Sequence, residues 1–227
     1  MAITLYGYHY SVYVRIVRMV LLEKGLTHQH VEVDPFEVPL PDGYKVLHPF
    51  GRVPTLRHDD FVLYETGAIV RYLDEAFSGP SLQPDALYER ARMSQIMSIV
   101  DNYAYWPLVR QVYSQRVFGP CIGEAADEGE IAQGLERAAV VLAALEEIAE
   151  SQGPGDGPLV NQASVTHISR PPASPSLADL YLAVMAADFI EAPEGKALWQ
   201  DFPKLSAWWH WIKERDCFLK SDPGPPS

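Results

Sequence analysis

The stretch 48-HPFGRVPTLRHDDFVLYETGAIVRYL-73 decides how the rest of the chain is read. VPTL and FVLY are short, β-branched and aromatic, and RHDD between them is long enough for a hairpin turn. A helical pattern follows from Glu65 and Thr66, with Ala68, Ile69, Tyr72, Leu73 and Ala76 on one side. Pro54 is out of place at a strand's mouth, because it has no N–H to give to a ladder. A cis bond to Pro54 would turn the chain so that Val53 presents its N–H and C=O outward, an unpaired edge open to strand addition. The first amides of the helix have no intrahelical partners and carry the positive end of the macrodipole. With the Thr66 hydroxyl they form a cradle for a carboxylate. Glu65 offers a counter-charge for an amine. The competing reading is structural: Pro54 as a rigid turn and Thr66 as a cap.

Working toward the N-terminus, ITLY reads as a strand, and Val14, Val17, Leu21 and Leu22 recur at helical spacing between Val12 and Lys24. Gly25 suits a helix stop. HQHVEV reads as a second strand, so the segment is a βαβ unit with a parallel pair and a right-handed crossover. DPFEVPLPDGYKVLHPFG is loop with one helical turn near Tyr44 to Leu47. The order is β-α-β-α-β-β-α over residues 1–78. FSGPSLQPDA breaks it, giving a linker at 79–85.

From 86 to 227 only helices are expected: one long helix to Phe118 bent by Pro107, then DEGEIAQGLERAAVVLAALEEIAE, SLADLYLAVMAADFI and FPKLSAWWHWIKERD. In AWWHW two tryptophans are expected in the core. SDPGPPS reads as a loose tail, and the Pro- and Ser-rich residues 163–175 as a surface insertion.

The chain has 227 residues, 48% of them hydrophobic, and a net charge of −12. A chain this acidic repels phosphate backbones, which argues against nucleic-acid binding. MAITLYGYHYS lacks the basic and apolar blocks of a signal peptide, and no apolar run is long enough to span a bilayer. A cytoplasmic protein is expected. Cys121 and Cys217 form no CxxC, so neither a zinc ribbon nor a dithiol site is encoded, and no metal site is assigned.

The β-α-β-β-β-α order without CxxC, the GRVPTL…YETGAI pair, SLADLYLAV and the helical second half resemble the cytosolic glutathione S-transferases, bacterial and serine-type in character. The resemblance covers essentially the whole chain. It implies a thioredoxin-like α/β domain followed by an all-α domain, glutathione as co-substrate, no tightly bound cofactor, and a homodimer. Glutathione has a peptide-like middle and an α-amino and α-carboxylate at one end. By resemblance, the main chain of Val53 pairs with its cysteinyl unit, Pro54 is the cis-proline, and Glu65 and Thr66 take the γ-glutamyl end. Ser176 and Asp179 match the family's capping box.

A transferase of this type lowers the pKa of the glutathione thiol, because the thiolate is the nucleophile. A hydroxyl at a helix N-terminus stabilises that charge. Ser11 holds the serine-type position and is the first candidate; Tyr6, at the end of the first strand, matches the tyrosine-type position and is the second. Ser11 as a plain N-cap and Tyr6 as a core residue are the alternatives. The family's basic holder of the glycyl carboxylate is not evident: Lys45 and His48 miss the spacing, and Arg52 is the substitute. Tyr8 and Tyr10 in the same loop, with Tyr103, Trp106, Arg110 and Tyr113 at i, i+3, i+7 and i+10, are candidates for a hydrophobic substrate site; core packing is the other reading of that stripe. The expected activity is addition of glutathione to a hydrophobic electrophile. The rivals are another glutathione-dependent reaction (peroxide reduction, isomerisation or ether cleavage) and a non-catalytic binding protein on the same fold.

Overall fold

The computed structural model describes residues 2–151, 157–160 and 174–225, which fall into two compact units. The first comprises residues 1–81 and, from the far end of the chain, 220–223; the second holds 82–219 and 224–227. Of the 163–175 insertion, all but Ser174 and Pro175 lies outside the described residues.

The first unit is built on β1 (Ile3–Gly7), β2 (Gln29–Glu32), β3 (Thr55–His58) and β4 (Phe61–Tyr64), in spatial order β2-β1-β3-β4. β1 runs parallel to β2 and antiparallel to β3, and β3 is antiparallel to β4. The β1–β2 crossover is α1 (Val12–Glu23). The hairpin is tighter than its sequence suggests. Arg57 and His58 stay in the ladder, and the turn is Asp59–Asp60, with Asp59 at φ 52°. Leu5 and Leu56 pair across β1 and β3 and are fully buried. The apolar side of α1 (Val14, Ile16, Val17, Val20, Leu21) packs against α3 (Thr66–Ala76) through Ile69, Val70 and Leu73. Lys24, at the end of α1, gives its ammonium to the Asp74 carboxylate (3.1 Å), the Asp74 carbonyl (3.0 Å) and the Pro80 carbonyl (3.1 Å). Three acceptors around one buried cation offset its desolvation. A Cβ on Gly7 would overlap Val14 Cγ2, so the glycine is what lets the end of β1 lie against the first turn of α1.

The second unit is helical. α4 (Leu87–Ile99) continues without a break into Val100–Phe118, where the hydrogen bonds widen to i→i+5, and ends in α5 (Gly119–Cys121). The single α-helix bent at Pro107 becomes a widened one. Pro107 lacks an N–H and its ring crowds the carbonyl four residues back, and wider turns relieve that crowding. α6 (Glu128–Ser151) packs along the widened segment. α7 (Leu177–Glu191) is buried on every side from Leu177 to Ala187, which explains its apolar residues all round.

The sequence reading missed α8 (Pro193–Trp199), which is only seven residues long and opens on Pro193. The pattern expected over 202–216 splits into α9 (Pro203–Ile212) and α10 (Asp216–Lys220). In AWWHW only Trp208 is fully buried; Trp209 and Trp211 are half-buried. The tail was also misread: Ser221 is completely buried and residues 220–223 pack with the first unit.

Candidate active site

Strand register gathers the candidate residues of the first unit. Thr55 pairs with Tyr6 on one side and Tyr64 on the other. Val53, two residues before Thr55, therefore lies at the same sheet end as Gly7–Tyr8, which leave β1, and Glu65, which leaves β4. This end carries the carboxyl terminus of β1, where ligands of open α/β sheets gather.

The Val53–Pro54 bond is cis, and so, unanticipated from the local residues, is Val38–Pro39. Among the described residues, the N–H and C=O of Val53 make no hydrogen bond. A buried Tyr44 from α2 (Tyr44–Leu47) holds this turn in place. Its hydroxyl donates to the Arg52 carbonyl (2.6 Å) and lies 3.0 Å from Thr55 Oγ1. Burial pushes the Tyr44 phenol pKa up, so it stays a donor. Sequence reasoning saw Tyr44 only as part of a helical turn; a lone tyrosine in a Pro- and Gly-rich loop was the available signal.

At the adjacent helix, Glu65 is the N-cap residue of α3, in the left-handed half of φ (73°) and without any side-chain cap bond. Its carbonyl accepts from Ala68 and Ile69 (3.0 and 2.9 Å), while its carboxylate is exposed and makes no hydrogen bond among the described residues. The Thr66 hydroxyl is likewise uncommitted. The amides of Thr66 and Gly67 thus face outward next to a free carboxylate, a site for an anion and a cation side by side.

Ser11 is the N-cap of α1, and its Oγ accepts the Val14 N–H at 3.4 Å. A hydroxyl has two acceptor lone pairs and one proton, so capping leaves the O–H available to donate to a thiolate. The capping and activating readings of Ser11 are compatible. Tyr6 is half-buried with its ring 6.4 Å from that of Tyr44. Tyr8 stacks edge-on with Tyr10 (5.6 Å) and Phe36 (6.5 Å). Burial, reinforced by Asp34, raises the Tyr8 pKa, so its hydroxyl stays protonated. The loop is pinned by Glu32, whose carboxylate accepts the His9 N–H (2.8 Å) and meets His30 Nε2 (3.0 Å).

Of the basic residues near the turn, His48 is buried, its ring 4.7 Å from that of Tyr64. Burial lowers its pKa, against the opposing pull of Glu65 and with the help of Arg52. It is a neutral packing residue rather than a carboxylate holder. Arg52 and Lys45 are exposed. In the second unit, Tyr103 and Trp106 line an apolar groove of about 530 Å³ together with Arg137, Val140 and Ala144 of α6. Arg110 and Tyr113 are half-buried and do not line it; Tyr113 contacts Phe118 (6.5 Å). The widened turns break the α-helical spacing on which the four-residue stripe rested.

Residues 5–81 match the sequence model of the family described as "Glutathione S-transferase, N-terminal domain". Glutathione S-transferase F10 of Arabidopsis thaliana is 30% identical over 220 residues, 95% of this chain and 94% of that one. Among solved structures, glutathione S-transferase III in apo form superposes with a TM-score of 0.79 at 27% identity, over 100% of this chain and 98% of that one. The β-etherase LigF of Sphingobium sp. strain SYK-6 gives 0.74 at 25%, over 97% and 98%. The fold and site define a thioredoxin-like domain joined to a helical one, and this chain belongs to the glutathione S-transferase family.

Proposed function

We propose that the first unit binds glutathione along the open main chain of Val53 and that Ser11 stabilises its thiolate for attack on a hydrophobic electrophile. The chain is a transferase that conjugates glutathione. The observation that carries the binding mode is the uncommitted N–H and C=O of Val53, beside an uncapped helix end with a free carboxylate at Glu65. The cysteinyl unit pairs with Val53, the γ-glutamyl carboxylate takes the Thr66 amide and hydroxyl, and its ammonium takes Glu65. Arg52, exposed beside the turn, meets the glycyl carboxylate. The thiol then lies toward Ser11, whose O–H and helix N-terminus favour the charged form. Tyr6 is the alternative donor. Tyr8 and Tyr10 offer aromatic surface to the electrophile.

No described helix is long and apolar enough to cross a membrane. We place the protein in the cytoplasm, in detoxification, without a tightly bound cofactor. We also propose a homodimer. Tyr103, Trp106 and Val140 are 64%, 54% and 72% exposed around one apolar groove, and such patches mark association surfaces. Ether cleavage is the second reading, favoured by the likeness to the β-etherase. Turnover of a chlorinated nitroaromatic tests the role of Ser11. Ser11→Ala should lower kcat about 100-fold, the cost of losing one donor to a developing anion. An unchanged rate removes Ser11 from the role.

A further inference from the structure

The last residues of the chain return to the loop that carries Ser11. Residues 220–223 belong to the first unit although all the chain between 82 and 219 lies in the second. Hydrogen bonds to α1 and to the loop before it help to fix them there. Arg15 Nε donates to Ser221 Oγ at 3.3 Å, between side chains that are both buried. His9 Nε2 lies 3.1 Å from the Pro223 carbonyl. A carbonyl only accepts, so Nε2 carries the hydrogen.

These contacts bracket Ser11. Arg15 is one helical turn beyond it, on the same face of α1, and its N–H bonds to the Ser11 carbonyl (2.9 Å). His9 is two residues before it, with its N–H held by Glu32 (2.8 Å). Between these points the Ser11 N–H closes a turn on the Tyr8 carbonyl (3.0 Å). Burial, with Arg15 beside it, lowers the pKa of Arg18 on the next turn of α1, and Asp222 opposes that shift.

We infer that the segment Ser221–Pro223 is a positioning strap for the thiol-activating loop, clamping Ser11 through Arg15 on one side and His9 on the other. This rests on the reading of Ser11 as the activator. A hydroxyl acts on a thiolate only within hydrogen-bond reach, and small displacements of a reacting group reduce the rate steeply. The hydrogen bonds described for the strap go to Arg15 and His9 rather than to Val53, Glu65 or Thr66, so glutathione binding should not need it.

The test uses the full-length chain with His9→Phe, His9→Gln, Ser221→Ala and the pair His9→Phe/Ser221→Ala, each with a melting curve. Phenylalanine keeps the ring contact with Tyr10 (5.2 Å) but removes the donor. Glutamine restores an N–H donor of similar reach. The paired variant should lose about tenfold in kcat with KM for glutathione unchanged, and the acid limb of its kcat/KM profile should move to higher pH as the bound thiol's pKa rises. His9→Gln should recover most of the loss. In a Ser11→Ala background the strap substitutions should add nothing. If Ser11→Ala abolishes turnover while the paired variant keeps the wild-type rate and pH profile, the strap inference fails and the activator reading stands. If the pair lowers kcat equally with serine or alanine at 11, the strap does not act through Ser11. If Ser11→Ala itself is silent, both readings fall.

Discussion

The N-termini of α3 and α7 face the same physical problem and resolve it in opposite ways. At α7, Ser176 and Asp179 form a reciprocal capping box. The Asp179 carboxylate accepts from the Ser176 N–H and Oγ (2.6 Å each), the Leu159 N–H (2.7 Å) and Trp208 Nε1 (2.9 Å), and both residues are fully buried. At α3, Glu65 caps nothing with its side chain, sits at positive φ and leaves the first amides free. The buried end stabilises the fold because the Ser176 hydroxyl and the Asp179 carboxylate are satisfied inside. The open end contributes little to folding, and that is what suits it to a ligand. α1 lies between the two cases: Ser11 caps with its lone pairs and keeps its proton.

Substitutions can break that contrast. The largest effect is expected at the closed end. Asp179→Ala strands four buried donors, and chemical denaturation should show a loss of about 4 kcal/mol. Ser176→Ala, which removes one cap bond, should cost about 1 kcal/mol. At the open end, Glu65→Gln should leave stability within about 0.5 kcal/mol of wild type, as for an exposed residue with no partner. Glutathione affinity should instead fall by about 2 kcal/mol, the contribution of a charge-assisted bond. Calorimetry checks both, and a Glu65→Gln protein that unfolds early or binds normally would erase the contrast.

The smallest effect concerns pH. Burial depresses the His48 pKa in the folded state, so the unfolded chain takes up the proton first as pH falls. Stability linked to His48 is complete above the ordinary imidazole value and declines below about pH 6.5. His48→Phe should flatten the melting temperature between about pH 7 and pH 5.

Much of this was legible in the sequence because it rests on local chemistry. The βαβ order follows from period and Gly25, and the Ser176–Asp179 box from the match of SLADLYLAV to the family's capping box. The Val53–Pro54 turn and the Glu65–Thr66 helix start stand next to one another because two hairpin strands of four residues bring their ends together. What was missed depends on distant contacts. Nothing near Tyr44 says that its hydroxyl reaches Arg52, and nothing in SDPGPPS says that Ser221 ends up buried against Arg15. His48, a basic residue off the spacing expected of a glycyl-carboxylate holder, gives no local sign that its ring is buried against Tyr64. The aromatic stripe failed as a single face because Pro107 lies in a segment whose turns are wider than α-helical.

The central claim is that glutathione lies along the free main chain of Val53, and amide hydrogen exchange with and without glutathione tests it most directly. Saturating ligand should slow exchange at Val53 and at the Thr66 and Gly67 amides, while the Ser176 and Asp179 amides stay as slow as before. If the Val53 amide exchanges at the same rate with glutathione bound, the tripeptide does not pair there and the proposed binding mode is wrong.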